Sequence, residues 1–317
     1  MKLLTKLTPV AATLLLSLGA ASAVQAEEKS ALTVGGFIDM SYVYQDSDAE
    51  ASSTSSSGID QIELNLGYDF GNKLTATVDV EYQDQPDDME DNQELDVEQA
   101  FINYALSDNL SLKAGRFLSY SGWETEEPTG LFQYSGTGYA GYFYGGYQQG
   151  VSGLYTGDGY AVAVSVVNDL GGEGTDSEHP GVETMLALMP TDEITIKGFY
   201  SKDGDVELIN TWASYSKDAL TLAAEYNTAE DSVFAGSEAS GYLLMANYAF
   251  EDFALTLRYH DYEVEDAAGT TTEEADGFTI SPSFAVNDNL LIVTEYRMEE
   301  MNGVDIDTLA IEALVTF

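Results

Sequence analysis

From Leu32 to the last residue, apolar and polar positions alternate in runs of about ten residues, the period of two that specifies strands and not helices. The clearest pair carries Ile62, Leu64, Leu66, Tyr68 and Phe70 against Gln61, Glu63, Asn65, Gly67 and Asp69. It turns at Gly71-Asn72-Lys73 and returns with Leu74, Ala76, Val78, Val80 and Tyr82 against Thr75, Thr77, Asp79 and Glu81. One face is apolar and the other polar. The final run, Val304 to Phe317, puts Leu309, Ile311, Ala313, Val315 and Phe317 on one face and Thr308, Ala310, Glu312, Leu314 and Thr316 on the other. A terminal strand needs a partner, and pairing with Leu32 to Tyr44 would close the sheet on itself.

Short polar turns recur at 71–73, 107–109, 157–159, 190–193, 216–219, 251–252 and 287–289, and longer, more acidic connections alternate with them. Seven turns on the side that holds both chain ends imply sixteen strands, an even count as in single-chain bacterial barrels. A soluble sandwich would also need apolar faces. The aromatic residues argue for lipid instead: Tyr42, Tyr44 and Tyr82 gather at one end of the apolar faces, and Phe70, Tyr155, Tyr160, Phe250, Phe253, Phe284 and Phe317 at the other, as interfacial girdles. The expected fold is all-β, a 16-stranded antiparallel transmembrane β-barrel in one domain over residues 27–317, with a water-filled interior. Two positions strain the pattern. Lys113 and Arg116 cannot both point inward, so a bulge is expected at Gly115, and Pro282 calls for a bulge or a missing ladder bond.

Residues 1–26 read as a secretory signal: Lys2 and Lys6, an apolar centre from Val10 to Leu18, and Val24-Gln25-Ala26 before a cleavage point after Ala26. The chain has no cysteine, which excludes a disulfide framework and thiolate metal sites. Its 55 acidic residues against 11 basic ones, a formal charge of -44, repel nucleic acid.

By strand parity the inward positions include Asp39, Glu63, Asp69, Asp79, Glu81, Glu183, Glu225, Glu295 and Glu312, against Lys197, Arg258 and Arg297, with Lys113 as a further candidate. Fixed carboxylates along a wet lumen favour cations. For catalysis there are only His179 and His260, without a serine at a recognisable spacing, so no enzyme and no cofactor is expected. The acidic runs Asp84 to Asp96 and Glu263 to Glu274 could hold calcium or magnesium, or bridge such ions to lipopolysaccharide, although solvated loops are the simpler reading.

The amphipathic last strand ending in Phe317 resembles the assembly signal of Gram-negative outer-membrane barrels, and LKAGRF at 112–117 is similar to OmpL-like β-barrel porins. The longest loop, 119–144, is the third, and resembles the third loop that sixteen-stranded trimeric porins fold into the lumen. The resemblance implies a homotrimeric porin in outer-membrane lipid and lipopolysaccharide, passing small hydrophilic solutes and cations by passive diffusion. It implies a constriction lined by Glu124, Glu126 and Glu127, with Trp123, Phe132 and Tyr134 packing the loop to the wall and Arg258 and Arg297 opposite. Two other readings are a barrel scaffold presenting acidic loops to a partner, and a barrel lipid hydrolase using His260.

Overall fold

The computed structural model describes residues 31–317 apart from 51, 85–92, 125 and 171–178. The expected signal segment and most of the acidic run at 84–96 lie outside the described residues. Sixteen antiparallel strands close into one barrel. They are β1 (Leu32–Ser47), β2 (Thr54–Gly71), β3 (Leu74–Asp84), β4 (Gln93–Ala105), β5 (Leu110–Leu118), β6 (Tyr147–Gly157), β7 (Tyr160–Val167) and β8 (Gly181–Thr191). The second half is β9 (Ile194–Asp203), β10 (Val206–Lys217), β11 (Leu220–Glu230), β12 (Glu238–Ala249), β13 (Ala254–Glu265), β14 (Thr271–Ala285), β15 (Leu290–Met301) and β16 (Val304–Thr316). Each strand pairs with its sequence neighbours, and β16 pairs with β1 from Phe37↔Thr316 to Ser47↔Ile306. Closure leaves no edge strand, the condition for sheet in a bilayer.

All seven expected turns are present. The first joins β2 to β3, where Asn72 and Lys73 both adopt positive φ, 53° and 69°, as a two-residue hairpin of the strand-compatible hand requires. Alternation then sorts the side chains. On β7, Val162, Val164 and Val166 face out while Ala161, Ala163 and Ser165 are buried inside. On β16, Leu309 and Ile311 face out, and Ala310, Glu312 and Leu314 face in. At the turn end, aromatic rings form a belt, with Phe250 to Phe253 at 4.6 Å, Phe253 to Phe284 at 5.9 Å and Tyr155 to Tyr160 at 6.0 Å between centroids.

At the seam the last residue is paired on both sides of its peptide: Gly36 N donates to Phe317 O at 3.1 Å, and Phe317 N donates to Gly36 O at 3.0 Å. A Cβ on Gly36 would stand 2.2 Å from the Glu63 carbonyl oxygen and 2.9 Å from the Phe317 ring, so only glycine fits there.

The two strained positions resolve differently. The register of β4 on β5 runs unbroken through Phe101↔Gly115, so the expected bulge at Gly115 is absent. Gly115 instead takes φ +134°, and a Cβ there would meet the Ala100 carbonyl oxygen at 2.2 Å. Lys113 turns inward over the Phe101, Phe117 and Tyr120 rings, and Arg116 pairs with Asp96 at 3.3 Å. Two register shifts fall on strand pairs nearby. Asp39↔Gln61 is followed by Met40↔Ile59, and Asp79↔Gln99 by Val80↔Val97, which leaves Asp60 on β2 and Glu98 on β4 as extra residues. A bulge places two successive side chains on one face. At Pro282, pairing of β14 with β15 lapses between Ile280↔Tyr296 and Ser283↔Val293. Side chains replace the ladder there: Ser281 Oγ donates to Thr294 O at 2.9 Å and Thr294 Oγ1 to Pro282 O at 3.1 Å.

Not all of the interior is polar. Met185, Ala187, Phe199, Trp212, Leu243 and Met245 are buried on the inner face of β8 to β12. They pack with aromatic residues of the 119–146 segment, which enters from the loop end between β5 and β6.

Candidate lumen constriction

The 119–146 segment carries one 3-10 turn, Pro128–Gly130, and one helical turn, α1 (Ala140–Phe143), and runs against inward side chains from several strands. It begins on β8, where Ser119 Oγ donates to the buried Glu183 carboxylate and the Tyr120 amide to the same group at 3.3 Å. At β10 and β11, Gly122 N donates to Asn210 Oδ1 at 3.2 Å and Trp123 N to Glu225 Oε1 at 2.7 Å. The Trp123 ring meets Trp212 edge-on at 5.3 Å and stacks on Phe132 at 6.2 Å. Buried aromatic pairs of this geometry are worth about 0.5–1.5 kcal/mol each beyond their area.

Glu124 is the hub of the segment. Its Oε1 accepts from Arg258 Nη1 of β13 at 2.6 Å and from Gln133 Nε2 at 2.9 Å, and its Oε2 from the Thr137 amide at 2.7 Å. The Arg258 side chain has no exposed surface and that of Glu124 has 6 %. Arg258 also donates through Nη2 to Ser135 Oγ and Thr279 Oγ1, both at 3.1 Å. On β15, Glu295 accepts from Ser135 N at 3.1 Å and Ser135 Oγ at 2.5 Å. Arg297 donates to Gly136 O at 2.9 Å and Thr137 O at 3.1 Å while paired with Glu299. Arg258 and Arg297 therefore do not face Glu124 across water; they hold the loop in place.

Three residues beyond Glu124 the chain reaches other strands. Glu127 Oε2 accepts from Gln61 Nε2 of β2 at 2.9 Å, and its Oε1 from the Tyr147 hydroxyl of β6 at 2.6 Å. Around the closed ring, β13 lies five strands from β2 and seven from β6. Since three residues extend at most about 10 Å, the segment crosses the lumen as a bar tied to separate parts of the wall. Tyr134 OH lies 3.2 Å from Ser41 Oγ on β1, adding a further tie.

The other sequence-derived positions divide accordingly. Glu225 and Glu295 hold the bar as just described, and Lys197 sits 4.9 Å over the Trp212 ring. Asp79 is buried and accepts from Asn65 Nδ2 at 3.0 Å and Gln99 Nε2 at 2.8 Å, while Glu81 is buried beside it on β3. Glu126 alone of the three loop glutamates is exposed. Enclosure by the barrel, with the Glu81 charge added, raises its carboxyl above the usual carboxylate range. Glu127 is pushed well above that range, first by burial and then by Glu63. Sequence reasoning missed Asp60 and Glu98. Adjacent polar pairs, Asp60-Gln61 and Glu98-Gln99, interrupt otherwise alternating strands and were the available signal.

A sequence model for the family described as "Putative beta-barrel porin-2, OmpL-like" matches residues 31–309. The chain belongs to that family of outer-membrane β-barrel porins. No curated protein matches the sequence. Among solved structures, this OmpL-like porin is similar to Pseudomonas putida OprB at a TM-score of 0.71 and 11% identity, over 90% of this chain and 94% of that one. It is similar to Salmonella typhi OmpF, solved with daunomycin, at 0.70 and 18%, over 90% and 97%. An anion-selective porin from Comamonas acidovorans gives 0.69 and 14%, over 91% and 100%. At these identities the likeness establishes the fold of the OmpL-like porin and leaves its selectivity to its own charges.

Proposed function

We propose that this porin passes small hydrophilic solutes by passive diffusion and favours cations, with solute size limited by the 119–146 bar. The observation that carries the charge preference is the state of the lumen cations. Arg258 is bound to Glu124 and Arg297 to Glu299, so the lysines left over aromatic rings, Lys197 and Lys113, are outnumbered by the carboxylates of Glu126, Glu183, Glu225 and Glu295. The uncompensated charge near the bar is negative, which lowers the energy of a passing cation. The test is the reversal potential of the mature protein in planar bilayers under a salt gradient. A cation-directed potential is expected in wild type, and a zero or anion-directed one would remove the reading.

Glu126→Gln should reduce the cation-to-anion permeability ratio by roughly twofold, since a unit charge about 8 Å away is worth about 0.5 kcal/mol in water, favourable to a cation and unfavourable to an anion, and salt at about 0.15 M screens each roughly threefold. Glu124→Gln, by contrast, should disturb the loop. Because the Glu126 carboxyl is raised, it is neutralised at a higher pH than a free glutamate, and cation preference should begin to decline from that higher pH on acidification. A bilayer that stays sealed at high protein concentration would favour the scaffold reading. The hydrolase reading has less support: His260 packs over Gly277 and lies 3.3 Å from Glu299, as a structural residue would.

We also infer a homotrimer in outer-membrane lipid. The outward face near the loop end of β4 to β6 has a hollow of about 420 Å³ lined by Val97, Ala100, Gly115, Arg116, Gln149, Gly150 and Asn168. Arg116 there is paired with Asp96 and only 14% exposed, and a neighbouring protomer seated in the hollow would cover what remains. A Vibrio cholerae outer-membrane protein of similar fold, OmpT, is described in a trimer form, at a TM-score of 0.65 and 13% identity, over 91% of this chain and 100% of that one. Cross-linking that stops short of a trimer would refute the inference.

A further inference from the structure

Four glutamates converge where the bar meets the wall: Glu63 on β2, Glu81 on β3, the bulge residue Glu98 on β4, and Glu127 of the bar. Glu63 and Glu81 are direct cross-strand partners, a like-charge pairing that sheets avoid. One carboxylate oxygen from each of Glu63, Glu98 and Glu127 lies within 4.8 Å of the other two. The Glu98 and Glu81 carboxyl groups are in hydrogen-bond reach of each other. Glu63 and Glu98 are each 4% exposed and Glu81 6%. Even so, Glu63 Oε2, Glu98 Oε2 and Glu81 Oε1 are buried oxygens without a hydrogen-bond donor. Buried acceptors left without donors cost about 1–3 kcal/mol each, more when charged.

We propose that Glu63, Glu98 and Glu127, backed by Glu81, bind one calcium ion that fastens the bar to the β2–β4 wall. The spacing suits that ion: calcium holds oxygen ligands at about 2.3–2.6 Å, so ligand oxygens on opposite sides of it stand about 5 Å apart. The ligand set is oxygen only, as a hard cation requires, and carboxylates can bind calcium through one or both oxygens. The Tyr147 hydroxyl and Gln61 amide already orient Glu127, donating one to each of its oxygens, the role outer groups play around a metal ligand. The β4 bulge supplies the second wall ligand, Glu98. Strict alternation would turn position 98 away from the lumen, and the extra residue turns it back.

The proposal does not depend on transport, and its test is equilibrium binding. Whole mature protein refolded in detergent and stripped with a chelator is titrated with calcium chloride by calorimetry. One equivalent per chain is expected, with a dissociation constant on the order of 10⁻⁴ M, the range of extracellular calcium modules. Glu63→Gln and Glu98→Gln should each weaken it about tenfold or more, the scale for perturbed metal sites. Glu263→Gln, in the exposed acidic run, should leave it unchanged. Heat-modifiable migration on gels checks that each variant is folded; should Glu98→Gln fail to fold, Glu127→Gln carries the same expectation. No calcium uptake by wild type, or uptake undiminished by the wall substitutions, would overturn the proposal and leave shared protons as the means by which these carboxyl groups are neutralised.

Discussion

Arg258→Met should release the 119–146 bar from the wall while leaving the barrel closed. The substitution removes the charge partner of Glu124, whose side chain is 6 % exposed, and strands a carboxylate that retains Gln133 and the Thr137 amide as donors. Breaking a buried ion pair on one side costs about 3–5 kcal/mol, more than any other single contact of the bar supplies. Single-channel conductance should rise and become noisy, and solutes too large for the wild type should pass in liposome-swelling assays. The double variant Glu124→Gln with Arg258→Met should recover much of the wild-type conductance, because a neutral pair no longer leaves a buried charge. If Arg258→Met conducts as wild type does, the Trp123, Trp212 and Phe132 rings hold the bar by themselves, and the ion pair is dispensable.

Gly36→Val should block assembly. Its Cβ would lie 2.2 Å from the Glu63 carbonyl oxygen and 2.9 Å from the Phe317 ring, so β1 would have to part from β2 and β16 at the seam. Overpacking costs about 1–3 kcal/mol where neighbours can yield, and backbone on the far side yields least. The folded fraction on heat-modifiability gels should fall sharply. Gly35→Ala is the matched control, since a Cβ there meets nothing closer than Phe317 O at 3.4 Å, and it should fold normally. Wild-type yields of Gly36→Val would mean that the barrel does not depend on a tight seam beside its last residue.

Much of the barrel was legible because each strand announces itself locally. Ile62 to Phe70 against Gln61 to Asp69 needs no distant information to be read as lipid-facing against inward, and counting Asn- and Asp-rich turns gives sixteen. Gly115 and Asp60 mark where this logic ends. A glycine in a strand signals either a bulge or a close backbone approach, and at Gly115 it was the approach to the Ala100 carbonyl. Two bulges that matter for the lumen lie at Asp60 and Glu98, where nothing but two adjacent polar residues gives them away. A bulge reverses parity, so inward lists built on strict alternation lose these acidic side chains.

The inward placement of Arg258 and Arg297 followed from parity and that of Glu124 from the resemblance to porins with an inward third loop, but their pairing followed from neither. Glu124 and Arg258 are 134 positions apart, and which wall the loop leans on depends on how it crosses the barrel. The assumption that inward charges meet water was too simple as well. Met185, Phe199 and Leu243 give the inner wall of β8 to β12 a dry surface, and it is against such a surface that the ion pairs become buried.

A ring of strands alone can ovalise, like a rim without spokes. Here Glu124 is lashed to β13 while Glu127, a few ångströms along the same chain, is lashed to β2 and β6, so one strut braces the hoop from within. Squeezing the wall along that direction loads the strut's ties before it bends the sheet, and the cross-section of the passage is thereby set by short polar contacts inside the barrel, not by the pressure of the surrounding lipid.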